Sequence, residues 1–268
     1  MTAAATTIEA ITVEERGEIA IVKLNRPEKL NALTPGMAKE ISAYLAGLND
    51  GEYRVRAMVF SGEGRAFCAG GDVTNFPPAD PDRKRPTWRR AHGESSAVRH
   101  FRQCDVPIIG AINGFAVGAG MGLALGTDLR ICADDAVFQV AQTKRGVMAD
   151  GSLGYLLPKI VGAQKGLELM FTGRRISAGE ALDLGLVLEV VPKDELMDRA
   201  FELATVIASG PPLGMAAVKR ITYMLEEDDL ARVDDLTSPV VQELFRSEDA
   251  AEGVRSFLER REPEFIGR

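Results

Sequence analysis

Two apolar runs in this chain, Ala57–Phe60 and Pro107–Ile112, each lead into a stretch of small residues, and this limits the possible folds more than any other feature. Each run reads as a buried strand. The first feeds Arg65-Ala66-Phe67-Cys68-Ala69-Gly70-Gly71-Asp72. The second feeds Asn113-Gly114 and then Phe115-Ala116-Val117-Gly118-Ala119-Gly120-Met121-Gly122. Small side chains let a ligand approach the backbone, and successive N–H groups there can aim at one oxygen. The second stretch reads as opening a helix rich in small residues that runs through Leu125. Its first turn would offer unpaired N–H groups and the positive end of the helix dipole. Two donors converging from separate segments would stabilise an enolate or a tetrahedral oxyanion, each worth about 3–4 kcal/mol. A tight turn at the first stretch and close helix–strand packing at the second are the plainer alternatives. A dinucleotide fingerprint does not fit, because Leu123 stands where the third glycine belongs.

The surrounding pattern is mixed α/β as far as residue 194. Ile11–Val13 and Ile19–Leu24 predict a hairpin. Thr34-Pro35 reads as an N-cap followed by proline at the first helical position. The helix it opens runs to about Leu48, with Met37, Ile41, Leu45 and Leu48 on one face. Residues 76–86 read as a loop and 88–102 as a helix. Leu129–Ala133, Val137–Val140 and Val187–Val191 read as further strands, with helical pattern near 152–171 and 178–184. From residue 195 to 268 only helix is predicted, over roughly 194–208, 212–225, 229–246 and 248–260. That shift is the one candidate domain boundary.

Composition removes several classes. The 268 residues are 46% hydrophobic and carry a net charge of -7, enough for a sizeable core and wrong for bulk attraction to nucleic acid or an acidic membrane. A local basic cluster, Arg83, Lys84, Arg85, Arg89 and Arg90, reads as a solvated face or as a contact for a phosphorylated ligand. Cys68, Cys104 and Cys132 lack Cys-x-x-Cys spacing, so neither a disulfide framework nor a zinc site is expected. No apolar stretch has the length of a bilayer span, and no signal-peptide pattern opens the chain. A cytoplasmic protein is the expectation.

Taken together, "LNRPEKLNAL" (Leu24 to Leu33), "GRAFCAGGD", "PIIGAINGFAVGAGMGLALGTDLRICADDAVFQ", "LPKIVG", "TGRRISAGEALDLGLVLEVVP" and the closing "FLERREPEF" resemble the enoyl-CoA hydratase/isomerase, or crotonase, family over essentially the whole chain. The resemblance implies an α/β fold, a spiral of β-β-α units followed by a C-terminal helical region used for trimerisation. It implies homotrimers or hexamers. It also implies an acyl-CoA thioester as ligand, with no cofactor beyond the coenzyme A of the substrate. By position, the thioester carbonyl would meet the backbone N–H groups of Gly71 and Ala119. The coenzyme A contacts would fall near Lys29, Leu30, Ala32, Ala69, Asp72 and Val73.

The chain departs from the hydratase pattern at both catalytic glutamates. Gly122 stands at one position and Gln142 at the other, and neither can act as a general base. A carboxylate occurs nearby at Asp150, where several non-hydratase members of the family resemble one another in carrying a catalytic aspartate. A helix N-cap is the other reading of Asp150. The expectation is double-bond isomerisation of an enoyl-CoA. Asp150 would move a proton along the acyl chain and Gln142 would orient the chain or a water. An atypical hydratase and a non-catalytic acyl-CoA binder are the alternatives. A serine hydrolase built on Asp150-Gly151-Ser152-Leu153-Gly154 would need His92 or His100 as base. A metalloenzyme lacks a cluster with ligand spacing.

Overall fold

The computed structural model describes residues 6–8, 10–49, 54–72, 74 and 97–264. The expected loop over 76–86, the basic cluster, His92 and Val73 lie outside the described residues. In chain order the strands and helices begin with β1 (Thr6–Ile8), β2 (Ile11–Arg16), β3 (Ile19–Leu24), α1 (Pro35–Gly47), β4 (Ala57–Gly62), β5 (Ala66–Cys68) and α2 (Ala97–Gln103). They continue with β6 (Ile108–Ile112), β7 (Phe115–Val117), α3 (Ala119–Gly126), β8 (Leu129–Ala133), β9 (Val137–Gln139), α4 (Leu153–Val161) and α5 (Ala163–Thr172). Then come β10 (Arg175–Ser177), α6 (Ala178–Asp183), β11 (Glu189–Val191), α7 (Leu196–Ala208), α8 (Pro212–Leu244) and α9 (Glu248–Glu259).

The strands form two sheets, ordered β1-β2-β3-β4-β6-β8-β11 and β10-β9-β7-β5. Consecutive strands alternate between them: β4 then β5, β6 then β7, β8 then β9. Each pair is followed by helix, so the chain winds as a spiral of β-β-α turns. From β3 to β11 the large sheet is parallel. Both of its faces are buried, which is why its strands read as continuous apolar runs. Met58, Phe60, Ile108 and Ile112 point into one core, while Ala57, Val59, Ile109 and Ala111 point into the other. The second core is closed by Leu196, Ala200, Ala204 and Ala208 of α7. The first helix beyond residue 195 therefore completes the sheet's packing.

Several local features follow expectation. The Thr34 side chain accepts a hydrogen bond from the Met37 N–H, and Met37, Ile41, Leu45 and Leu48 are buried. The hairpin of β2 and β3 pairs Ile11 with Leu24 and Arg16 with Ile19. Other features differ. The expected unbroken helix after Gly114 is instead β7, a turn at Gly118, and α3. Phe115, Ala116 and Val117 pair in parallel with β5 and β9, and that tertiary pairing overrides the helical composition. The helical pattern over 152–171 is two helices meeting at Gly162, whose φ of 79° no ordinary helical residue adopts. Strand β10, not expected, exists because it pairs antiparallel with β9. The break expected between 225 and 229 is absent: α8 runs through an acidic stretch that holds neither glycine nor proline. A buried ion pair between Lys219 and Asp128, at 2.8 Å, ties α8 to the sheet, and Lys219 also donates to the Val106 carbonyl.

Two buried asparagines hold the strand ends that carry the glycine-rich segments. Asn31 accepts from the Arg26 N–H and donates to the carbonyls of Glu63 and Ala66, at 2.9 and 2.7 Å. Asn113 donates to the carbonyls of Gly62 and Gly64. Replacing Asn31 by alanine leaves these buried backbone groups without partners. It is expected to lower stability by about 2–3 kcal/mol, read as a shift of the denaturant midpoint at unchanged slope.

Candidate active site

The first glycine-rich segment leaves β5 and makes a single parallel bridge with Leu33. The Leu33 N–H donates to the Gly70 carbonyl at 2.7 Å, and the Asp72 N–H donates to the Leu33 carbonyl at 2.9 Å. In a parallel bridge those two bonds belong to the residues flanking Gly71, so the Gly71 N–H points away from Leu33. Ala119 is the first residue of α3, and its N–H lies in the turn where no intrahelical acceptor exists. Gly118 precedes it at φ 55°, ψ -123°, a conformation open to glycine alone.

The two segments touch because glycines remove what would separate them. A Cβ on Gly120 would run into the Cys68 carbonyl oxygen. One on Gly70 would lie 3.0 Å from the Val117 carbonyl oxygen and 4.0 Å from the Ala119 nitrogen. Gly71 and Ala119 both line a cavity of about 560 Å³. Among the expected site residues, Lys29, Ala32, Ala69, Asp72, Gln142 and Asp150 line the same cavity. Leu30 stands outside that lining, and its carbonyl instead accepts the Ala69 N–H at 3.0 Å. The Asp72 carboxylate faces Arg26, at 3.0 Å, and accepts from the hydroxyl and N–H of Thr74. The Thr74 hydroxyl first, and Arg26 after it, hold this carboxyl below its ordinary range.

The Asp150-Gly151 turn sits against the start of α3. A Cβ on Gly122 would run into the Gly151 carbonyl oxygen, so this chain has no room for a side chain at position 122. Asp150 does not cap α4. The cap position is Ser152, which has φ 63° and no side-chain cap bond. The Asp150 carboxylate turns instead toward Gln142, whose Nε2 donates to it at 2.9 Å. Burial pushes the Asp150 carboxyl above the usual carboxylate range, and the Gln142 hydrogen bond only partly opposes this. The other amide atom of Gln142, Oε1, is buried and has no hydrogen-bond partner among the described residues.

Among the described residues, Ser152 and His100 do not assemble a hydrolase constellation. Ser152 is 2% exposed, and His100 Nδ1 lies 3.2 Å from the Ser42 hydroxyl on α1. Among the described residues no group of three or more His, Cys, Asp or Glu could hold a metal ion, and no single helix is long and apolar enough to cross a membrane. Cys68, Cys104 and Cys132 are free and buried.

The cavity also takes residues that sequence reasoning did not find. Arg145 and Val147 lie between Gln142 and Asp150 in the chain, so their nearness in sequence was an available signal. Phe245 and Phe257 come from the C-terminal helical region and close the cavity from a distance in sequence that no local pattern reports.

Comparison with known proteins agrees with this geometry. The family model described as Enoyl-CoA hydratase/isomerase matches residues 14–268. A probable enoyl-CoA hydratase of Rhodobacter capsulatus is 35% identical, covering 93% of this chain and 95% of its own. The 1,2-epoxyphenylacetyl-CoA isomerase of Escherichia coli K12 is 33% identical, covering 95% of this chain and 97% of its own. The crystal structure of an enoyl-CoA hydratase/isomerase from Pseudoalteromonas atlantica superposes with a TM-score of 0.84 at 25% identity, covering 96% of this chain and all of that one. With its paired glycine-rich segments, its β-β-α spiral and a match across almost its whole length, this chain belongs to the enoyl-CoA hydratase/isomerase family.

Proposed function

We propose that this protein isomerises the double bond of an enoyl-CoA, with Asp150 as the acid and base. The thioester carbonyl would lie against the N–H groups of Gly71 and Ala119, with coenzyme A reaching toward Lys29, Ala32 and Ala69. Polarised in this way, a β,γ-enoyl thioester loses a proton from its α-carbon to Asp150. The electron pair spreads through a dienolate held by the two N–H groups. Asp150 then returns the proton at the γ-carbon, leaving the α,β-alkene. Protons and electrons balance within the substrate, so no cofactor beyond its own coenzyme A is needed.

One observation carries this reading. Gly151 fills the space beside Gly122, and Gln142 occupies the second position, so Asp150 is the only carboxylate on that side of the cavity among the described residues. Water addition asks for one group to activate water and another to protonate the α-carbon. A proton shuttle asks for one group that does both in turn. A carboxyl whose affinity for protons is raised by burial suits that task.

The test is turnover of a β,γ-enoyl-CoA in heavy water, with product read by mass spectrometry. Isomerisation with deuterium entering the acyl chain is expected, and Asp150→Asn should lower the rate by at least about a hundredfold. The rate should also fall as pH drops through one ionisation above the usual carboxylate value, where Asp150 takes up its proton. Full turnover by Asp150→Asn would overturn the assignment, and hydration without isomerisation would move the protein to the hydratase alternative. A second expectation concerns stability. The folded state holds the Asp150 proton more tightly than the unfolded state does. Stability from this group is therefore full below the unfolded carboxylate value and declines as pH rises toward the folded one. Asp150→Asn, which can still accept the Gln142 hydrogen bond, should raise the melting midpoint at neutral pH, and the gain should vanish in acid.

A further inference from the structure

Arg145 lies in the wall of the cavity and makes no ion pair with an acid among the described residues. It is half-buried and donates through one Nη to the Ala141 carbonyl at 3.2 Å. Its guanidinium carbon lies 4.4 Å from the centre of the Phe257 ring. No carboxylate pairs with it among the described residues. Burial alone shifts its ionisation, downward, as happens to a charge that meets no opposite charge. The two acids that share the cavity wall are both spoken for. Asp72 is held by Arg26 and Thr74, and Asp150 is pushed toward its neutral form. A guanidinium carries several donors in a planar fork that matches a carboxylate. Keeping one half-buried and unpaired costs stability, so its position calls for an anion from outside.

Its place in the fold says which part of a ligand that anion belongs to. Gln142 lies over the start of α3, its amide carbon 3.6 Å from where a Cβ of Gly118 would be. Arg145 follows on the same short segment, one 3₁₀ turn further on. Lys29 and Asp72 belong to the other segments, those that meet at the Leu33–Gly71 bridge. Beginning from the acyl-CoA reading above, on which this inference rests, we propose that Arg145 receives a carboxylate at the far end of the acyl chain. The preferred substrates would then be the coenzyme A thioesters of dicarboxylic acids.

The test is binding, so that it stands apart from catalysis. Dissociation constants are measured by calorimetry for saturated thioesters matched in length: succinyl-CoA against butyryl-CoA, glutaryl-CoA against valeryl-CoA, and adipyl-CoA against hexanoyl-CoA. The wild-type protein is expected to favour the acidic member of at least one pair by about tenfold, the size of one charge-assisted hydrogen bond in a shielded site. Arg145→Met should abolish that preference, and Arg145→Lys should retain part of it. A guanidinium that merely clamps Phe257 would change both members of a pair alike and leave their ratio intact. Equal binding of each pair by the wild type, or a preference that survives in Arg145→Met, would overturn the proposal. The same pairs made with 3′-dephospho-coenzyme A supply the remaining arm. If the effect of Arg145→Met covers acidic and neutral thioesters equally and disappears without that phosphate, the cation serves coenzyme A and the proposal is wrong. Failure of every thioester to bind would instead remove the acyl-CoA reading itself.

Discussion

Everything distinctive in this molecule depends on the close approach of α3 to the end of β5. At Gly120 the helix presses on the Cys68 carbonyl with no side chain between them. That contact lets the unpaired N–H at the start of α3 stand beside the segment carrying Gly71. A methyl group at Gly120 would force the helix away and separate the two donors. The asparagines at 31 and 113 serve the same contact from behind, since they satisfy the backbone groups exposed where the strands end. The two sheets are thus held at the place where a carbonyl oxygen would be bound.

A second close approach decides the chemistry available there. The Asp150-Gly151 turn lies on α3 at Gly122, and the Gly151 carbonyl takes the volume a glutamate would need. The carboxylate at this end of the cavity comes from the turn rather than from the helix. Asp150 is half-buried in the cavity wall and accepts a hydrogen bond from a neutral amide; desolvation there holds its proton more tightly than usual. Gln142 takes part from the position of the other missing glutamate, with Nε2 committed to Asp150 and Oε1 left without a partner among the described residues. In the proposed reaction, the backbone donors, one carboxyl and one amide would together move a proton beside a polarised thioester.

Much of this was legible in the sequence, for identifiable reasons. Strands β4 and β6 stand out because a parallel strand buried on both faces must be apolar throughout. Helix α1 stands out because Thr34, Pro35 and its apolar stripe agree with one another. Strands β7 and β10 were invisible, since each has three residues and exists through its pairing in the smaller sheet, β10 with β9 and β7 with β9 and β5. The single helix α8 was read as two because an acidic stretch resembles a loop when its neighbours are unknown. In the cavity, Gly71, Ala119, Gln142 and Asp150 were legible through motif position. Phe245 and Phe257 were not, because they reach the cavity only after α8 and α9 have folded back over it.

The sequence by itself determined the family and the absence of a carboxylate at positions 122 and 142, because these are matters of residue type and spacing. Tertiary structure alone decided three things. It placed the glycine-rich segments in contact, which requires two sheets and a helix to meet. It turned Asp150 toward Gln142 and away from the cap position of α4, because Ser152 occupies that position with a backbone a side-chain cap does not use. It also brought Arg145 against Phe257 and into the cavity wall, with no ion-pair partner among the described residues. Neighbours distant in the chain are set by packing, and no local pattern encodes them.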